Sequence, residues 1–117
     1  MHFLYLFTRQ AYGHSFAREA LDMALATAAF DQKVSIVFLQ DAIYQLMVAN
    51  DAPCVEAKPH TGVINALPLY DIERIYYLEY DRQTRHINEA ELVPHAAAIS
   101  PAALEELMAT ADRIQSF

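Results

Sequence analysis

Two stretches of this chain are apolar almost without a break. Residues 2–8 read His-Phe-Leu-Tyr-Leu-Phe-Thr, and residues 34–39 read Val-Ser-Ile-Val-Phe-Leu. Both have strand length and are rich in the aromatic and β-branched side chains that suit a pleated surface. Neither alternates apolar with polar residues. A strand with one wet face must alternate, because successive side chains point to opposite sides. These two therefore expect cover on both faces, the situation of a strand inside a parallel sheet flanked by helices. Parallel neighbours in turn need long crossover connections, so helical segments must lie between the strands.

The rest of the chain supplies them. Residues 9–14 read as a loop, with Gly13 for permissive backbone geometry, and Ser15 as the N-cap of a helix over 16–29. Arg18, Glu19 and Asp22 line one side of that helix. Phe16, Ala20, Met23, Ala24 and Ala28 cover most of the remainder, a wet stripe narrow enough to suggest contacts beyond its own sheet. After a turn at Asp31-Gln32-Lys33 and the second strand, Asp41 caps a short helix over 42–49. Ile43, Leu46 and Met47 share one face of it, and Asn50-Asp51-Ala52-Pro53 breaks it. A less regular stretch leads to a helix over 61–67, ending near Pro68. Residues 74–80 read as the third strand, with Ile75, Tyr77 and Glu79 on one face and Tyr76, Leu78 and Tyr80 on the other. A polar loop over 81–89 follows, then a short strand within 92–99, broken at Pro94. Ser100-Pro101 starts a helix through residue 111, with Glu105 and Glu106 outside and Leu104, Leu107 and Met108 inside. Residues 113–117 form a last strand. The alternation describes an α/β chain, doubly wound in three layers around a mostly parallel sheet. At 117 residues it is expected to be a single domain, 1–117.

Charge and cysteine content narrow the setting. A net charge of −7 argues against this chain gripping nucleic acid directly. Cys54 is the lone cysteine, so no internal disulfide forms and a reduced, cytoplasmic location is expected. The opening residues lack the basic lead-in of a signal peptide, and no run approaches the roughly 18 apolar residues of a membrane span. Apolar residues make up 55% of the chain, above the roughly 45–50% typical of soluble domains. In so small a domain part of that excess falls on the surface, which points to a subunit interface.

The chemistry-bearing residues form no recognisable constellation. Gly13 and Gly62 are the only glycines, too few for a P-loop or a dinucleotide fingerprint. The histidines His2, His14, His60, His86 and His95 show no metal-ligand spacing among themselves, with Cys54 or with carboxylates. No metal and no cofactor is expected. His14 follows the first strand, at the sheet edge where sites form. Cys54 is the one candidate nucleophile, with His14 or His60 as conceivable partners. Its neighbours Asp51 and Glu56 oppose thiolate formation, and Lys58 is the near cation. The tyrosines at strand period fit a core or a subunit contact better than base stacking. Glu105-Glu106 and Glu89 with Glu91 fit solvated faces rather than an acid/base pair.

In an open α/β sheet the reactive groups sit just past the carboxyl ends of the strands. At that place in the third strand stands Leu78, with no nucleophile, acid or ligand. Several segments nevertheless resemble one family. They are Phe7-Thr8 with the Gly13 loop, Arg18-Glu19-Ala20-Leu21-Asp22 leading into Leu25-Ala26-Thr27-Ala28, Val37-Phe38-Leu39-Gln40-Asp41-Ala42-Ile43-Tyr44-Gln45-Leu46, and Leu69-Tyr70-Asp71-Ile72-Glu73. They resemble the TusC/DsrF subunits of the DsrE/DsrF-like sulfur-relay family, and the likeness spans nearly the whole chain. The resemblance implies a flavodoxin-like fold and assembly with TusB/DsrH-like and TusD/DsrE-like chains into a dimer of heterotrimers. It implies that the TusD-like chain carries a persulfide cysteine and passes sulfur to a TusE/DsrC-like acceptor. The end use is 2-thiouridine at tRNA wobble positions or, alternatively, dissimilatory sulfur oxidation. The relay cysteine aligns with Leu78, so the resemblance implies a non-catalytic subunit with no catalytic residue of its own. A stand-alone thiol carrier using Cys54 is the competing reading.

Overall fold

The computed structural model describes residues 1–9, 16–47 and 57–117, and for Phe16 and residues 57–61 the backbone alone. Five strands form one sheet: β1 His2–Phe7, β2 Lys33–Phe38, β3 Arg74–Leu78, β4 Ala96–Ile99 and β5 Arg113–Ser116. Their order is β4-β3-β2-β1-β5, and every pairing is parallel. The helices are α1 Phe16–Ala28, α2 Ala57–Ala66, α3 Glu79–Thr84 and α4 Pro101–Thr110.

Strand order decides which helix covers which face. The chain steps from β1 to β2, β3 and β4 in one direction. Right-handed crossovers put all of those connections on the same side of the sheet. Only the return from β4 to β5 runs the other way, so α4 alone among the described helices falls on the opposite side. Packing follows suit. On the first face Tyr5, Phe7, Val34, Ile36, Phe38, Ile75 and Tyr77 meet Ala20, Leu21 and Ala24 of α1, Ala42, Ile43 and Leu46 of a 3-10 segment, and Ile64 of α2. Phe7 and Phe38 meet edge to face at 5.1 Å, and Phe117 closes on Phe7 at 5.9 Å. On the second face the cluster is small: Leu4, Leu6 and Val37, against half-buried Leu104, Leu107 and Ala111.

The apolar runs at residues 2–8 and 34–39 are thus inner strands of a three-layer parallel sheet, as their lack of alternation demanded. The one polar residue in the second run, Ser35, is fully buried and is satisfied by Nε2 of His2 at 2.7 Å. Ser100 caps α4 by accepting from the Ala103 amide at 3.2 Å, with Pro101 at the first helical position.

Four expectations need correction. The third strand ends at Leu78, and Glu79 onward turns into α3 where a strand end and loop were expected. Tyr80 is therefore exposed rather than part of a strand face. The helix after β2 is a 3-10 segment over Gln40–Leu46, and α2 begins earlier than position 61, at Ala57. Met108, expected to lie inside, is 40% exposed.

Candidate functional site

The carboxyl edge of β2 and β3 is the place where an open parallel sheet presents its chemistry. Leu78 ends β3 in extended geometry and immediately precedes α3. Its side chain is half-buried, on the face that α4 shares. Across from it, β2 ends at Phe38. Leu39 donates its amide to the Phe7 carbonyl at 2.8 Å, and Gln40 adopts a left-handed backbone with φ 52°.

That unusual turn is held from α3. Asp81, only 6% exposed, accepts the Gln40 amide on Oδ2 at 2.7 Å. Arg85 bridges the two segments, reaching Oδ1 of Asp41 at 3.0 Å and Oδ1 of Asp81 at 3.5 Å. A second set lies beside it. Arg82 clasps Oε1 of Glu79 with both Nε and Nη2 and donates to the Ile87 carbonyl at 2.8 Å. The hydrogen bond to Glu79 raises the Arg82 pKa above its ordinary value. The other Glu79 oxygen, Oε2, is buried without a partner. On the far side Gln45, buried, donates to the Arg9 carbonyl at 2.6 Å and so ties the end of β1 to the same 3-10 segment.

These groups brace the edge through ion pairs and backbone hydrogen bonds. Asp81, Arg82 and Arg85 each engage a charged partner and a backbone group, and one oxygen of Glu79 is held by Arg82. Tyr77 stands just before this set in the chain. Burial, then the charges of Glu79 and Glu89, push its pKa up, so it remains protonated and is no base at neutral pH. Leu78 contributes a methyl-bearing surface and nothing that can bind or transfer an atom.

Cys54 and His14 lie outside the described residues, as does Ser15, and the His60 side chain does too. The other histidines are scattered. His2 serves Ser35 at the amino end of the sheet, His86 occupies a left-handed turn with φ 54°, and His95 Nε2 meets the Ile64 carbonyl at 3.1 Å. Among the described residues no group of three metal-ligating side chains converges. No described helix is long and apolar enough to cross a membrane. A cleft of about 360 Å³ lined by Asp31, Lys33, Asp71, Glu73 and Arg74 opens at the amino edge, the end of the sheet away from where such folds place chemistry.

The ionic brace was missed in the sequence because residues 81–89 read as loop. Its signal was present: Glu79 precedes Arg82 by three positions and Asp81 precedes Arg85 by four, the spacings that pair across one helical turn.

Comparison with known proteins agrees with this fold. The crystal structure of the ychN protein from E. coli superposes over 100% of both chains with a TM-score of 0.78 at 14% identity, a likeness of fold. Proteins named TusC homolog from Vibrio vulnificus and Vibrio parahaemolyticus are each 28% identical over 113 residues, covering 97% of this chain and 96% of theirs. The family model for the DsrE/DsrF-like family matches residues 1–117, and the chain belongs to that family.

Proposed function

We propose that this chain is a non-catalytic subunit of a sulfur-relay complex, assembled with TusB/DsrH-like and TusD/DsrE-like chains in a dimer of heterotrimers. The TusD-like neighbour carries the persulfide and delivers it to a TusE/DsrC-like acceptor, for 2-thiouridine formation at tRNA wobble positions. The observation that carries the reading is Leu78 at the carboxyl end of β3. A persulfide carrier needs an exposed thiolate that a partner thiol can attack. At the position where the family resemblance places that group, this chain has a hydrocarbon, embedded beside a rigid ionic brace. The relatives named TusC homolog support the subunit type.

Co-expression with TusB-like and TusD-like chains, followed by sizing and a persulfide-transfer assay to a TusE-like acceptor, tests this. The expected result is one complex whose transfer rate is unchanged by Cys54→Ser and abolished by removing the thiol of the TusD-like chain. A chain that elutes alone, or a rate that collapses with Cys54→Ser, overturns it.

A further inference from the structure

The sheet is finished on one side only. Neighbouring strands are ~4.8 Å apart and a helix with its side chains is ~10 Å wide, so one helix covers about two strands. Here α4 is the only described helix on the second face. It lies over β1 and β2, where Leu104 and Leu107 pack on Leu4, Leu6 and Val37. The adjacent half of that face, formed by β3 and β4, is left open. Register puts Tyr76 beside Ala97 and Leu78 beside Ile99 there. Ala97 is exposed, while Tyr76, Leu78 and Ile99 are each half-buried. Between this strip and α4 runs a groove of about 260 Å³, walled by Tyr76 and Ile99 below and by Ala103, Glu106, Leu107 and Thr110 alongside. No residue of α4 is buried, which is unusual for a helix in the outer layer of a three-layer fold.

The charges at the rim say what fits. Glu105 and Glu106 are exposed on α4, the helix contains no basic residue, and among the described residues neither carboxylate lies in an ion pair. A second copy docked through the same face would bring four carboxylates together. A basic-rimmed helix from a different polypeptide would meet them favourably.

We propose that this groove seats one amphipathic helix of a partner subunit, parallel or antiparallel to α4. Its apolar stripe lies on Tyr76, Ala97 and Ile99, and a Lys or Arg lies against Glu106. The inference rests on the assembly proposed above and names the surface through which it is built. Because Leu78 lies on the same face, the docked helix also reaches the carboxyl edge and links it to the partner.

The test uses the full chain co-expressed with its TusB-like and TusD-like partners. Ala97→Arg and Thr110→Arg alter exposed positions, so the fold survives and circular dichroism confirms it. Each is expected to weaken assembly at least 100-fold in a pull-down titration. Glu106→Lys is expected to weaken it about 5- to 10-fold. Tyr70→Ser, an exposed change at the opposite edge, is the control and is expected to leave assembly intact. Hydrogen exchange of β4 is expected to slow on assembly. If the wild-type complex forms but the two arginine variants assemble normally and β4 exchange is unchanged, the groove assignment falls and the assembly stands. If the wild-type chain forms no complex, both fall. Self-association of the isolated chain that the arginine variants abolish would replace the partner helix with a second copy and overturn the proposal.

Discussion

On one face of the sheet Phe7 and Phe38 are sealed beneath α1, α2 and a 3-10 segment. On the other, Tyr76 and Ile99 stand half-open beside a single helix with no buried residue. The same strands build both faces. The difference is therefore not in strand composition but in the order of strands, which sends three crossovers to one side and one to the other. A face that topology leaves thin is stabilised less by the chain itself and more by whatever meets it.

Removing an aromatic from the sealed face is the severest way to probe that contrast. Phe38→Ala, at a fully buried site, is expected to cost about 3–5 kcal/mol in urea unfolding, enough to threaten the fold of so small a protein. The brace at the carboxyl edge comes next. Asp81→Ala strands the Gln40 amide and one side of Arg85, and is expected to cost about 1–3 kcal/mol by the same measurement. On the thin face Leu107→Ala is expected to cost only about 1 kcal/mol in the isolated chain, because a half-buried side chain has little left to lose. A loss equal to that of Phe38→Ala would erase the distinction between the faces. The Ser100→Ala change, which removes the cap of α4, is likewise expected to cost about 1 kcal/mol in thermal or urea unfolding.

The smallest effect concerns pH. Burial lowers the His2 pKa from its ordinary value of 6.5, and the charges of Arg74 and Lys33 add to this against an opposing contribution from Asp112. The unfolded chain then binds a proton more readily than the folded one. The His2 contribution to stability is full above about pH 6.5 and is lost as pH falls through that value toward the lower folded pKa. His2→Gln is expected to flatten the stability profile below pH 6.5, read from urea midpoints across a pH series.

The layered architecture was legible because two unalternating runs and a Ser-Pro helix start are strong, local signals. The end of β3 was harder. Tyr76, Tyr77 and Tyr80 made the run look like strand through position 80, while the side-chain pairs that favour a helix, Glu79 with Arg82 and Asp81 with Arg85, span the point where the strand stops. The same ambiguity hid the brace, since a residue's partner across the sheet edge, such as Asp81 on the Gln40 amide, follows from a fold and not from spacing. The unfinished face was foreshadowed by the apolar excess but could not be located. Composition counts greasy residues, whereas strand order decides where they go uncovered.

One further consequence attaches to β4. It is an outermost strand whose sequence, Ala96-Ala97-Ala98-Ile99, carries neither charge nor proline. Such a border is a template for any extended segment that drifts past. At four residues that border is short, the device by which natural sheets keep an outermost strand from recruiting other chains, so lengthening it would be the riskier change.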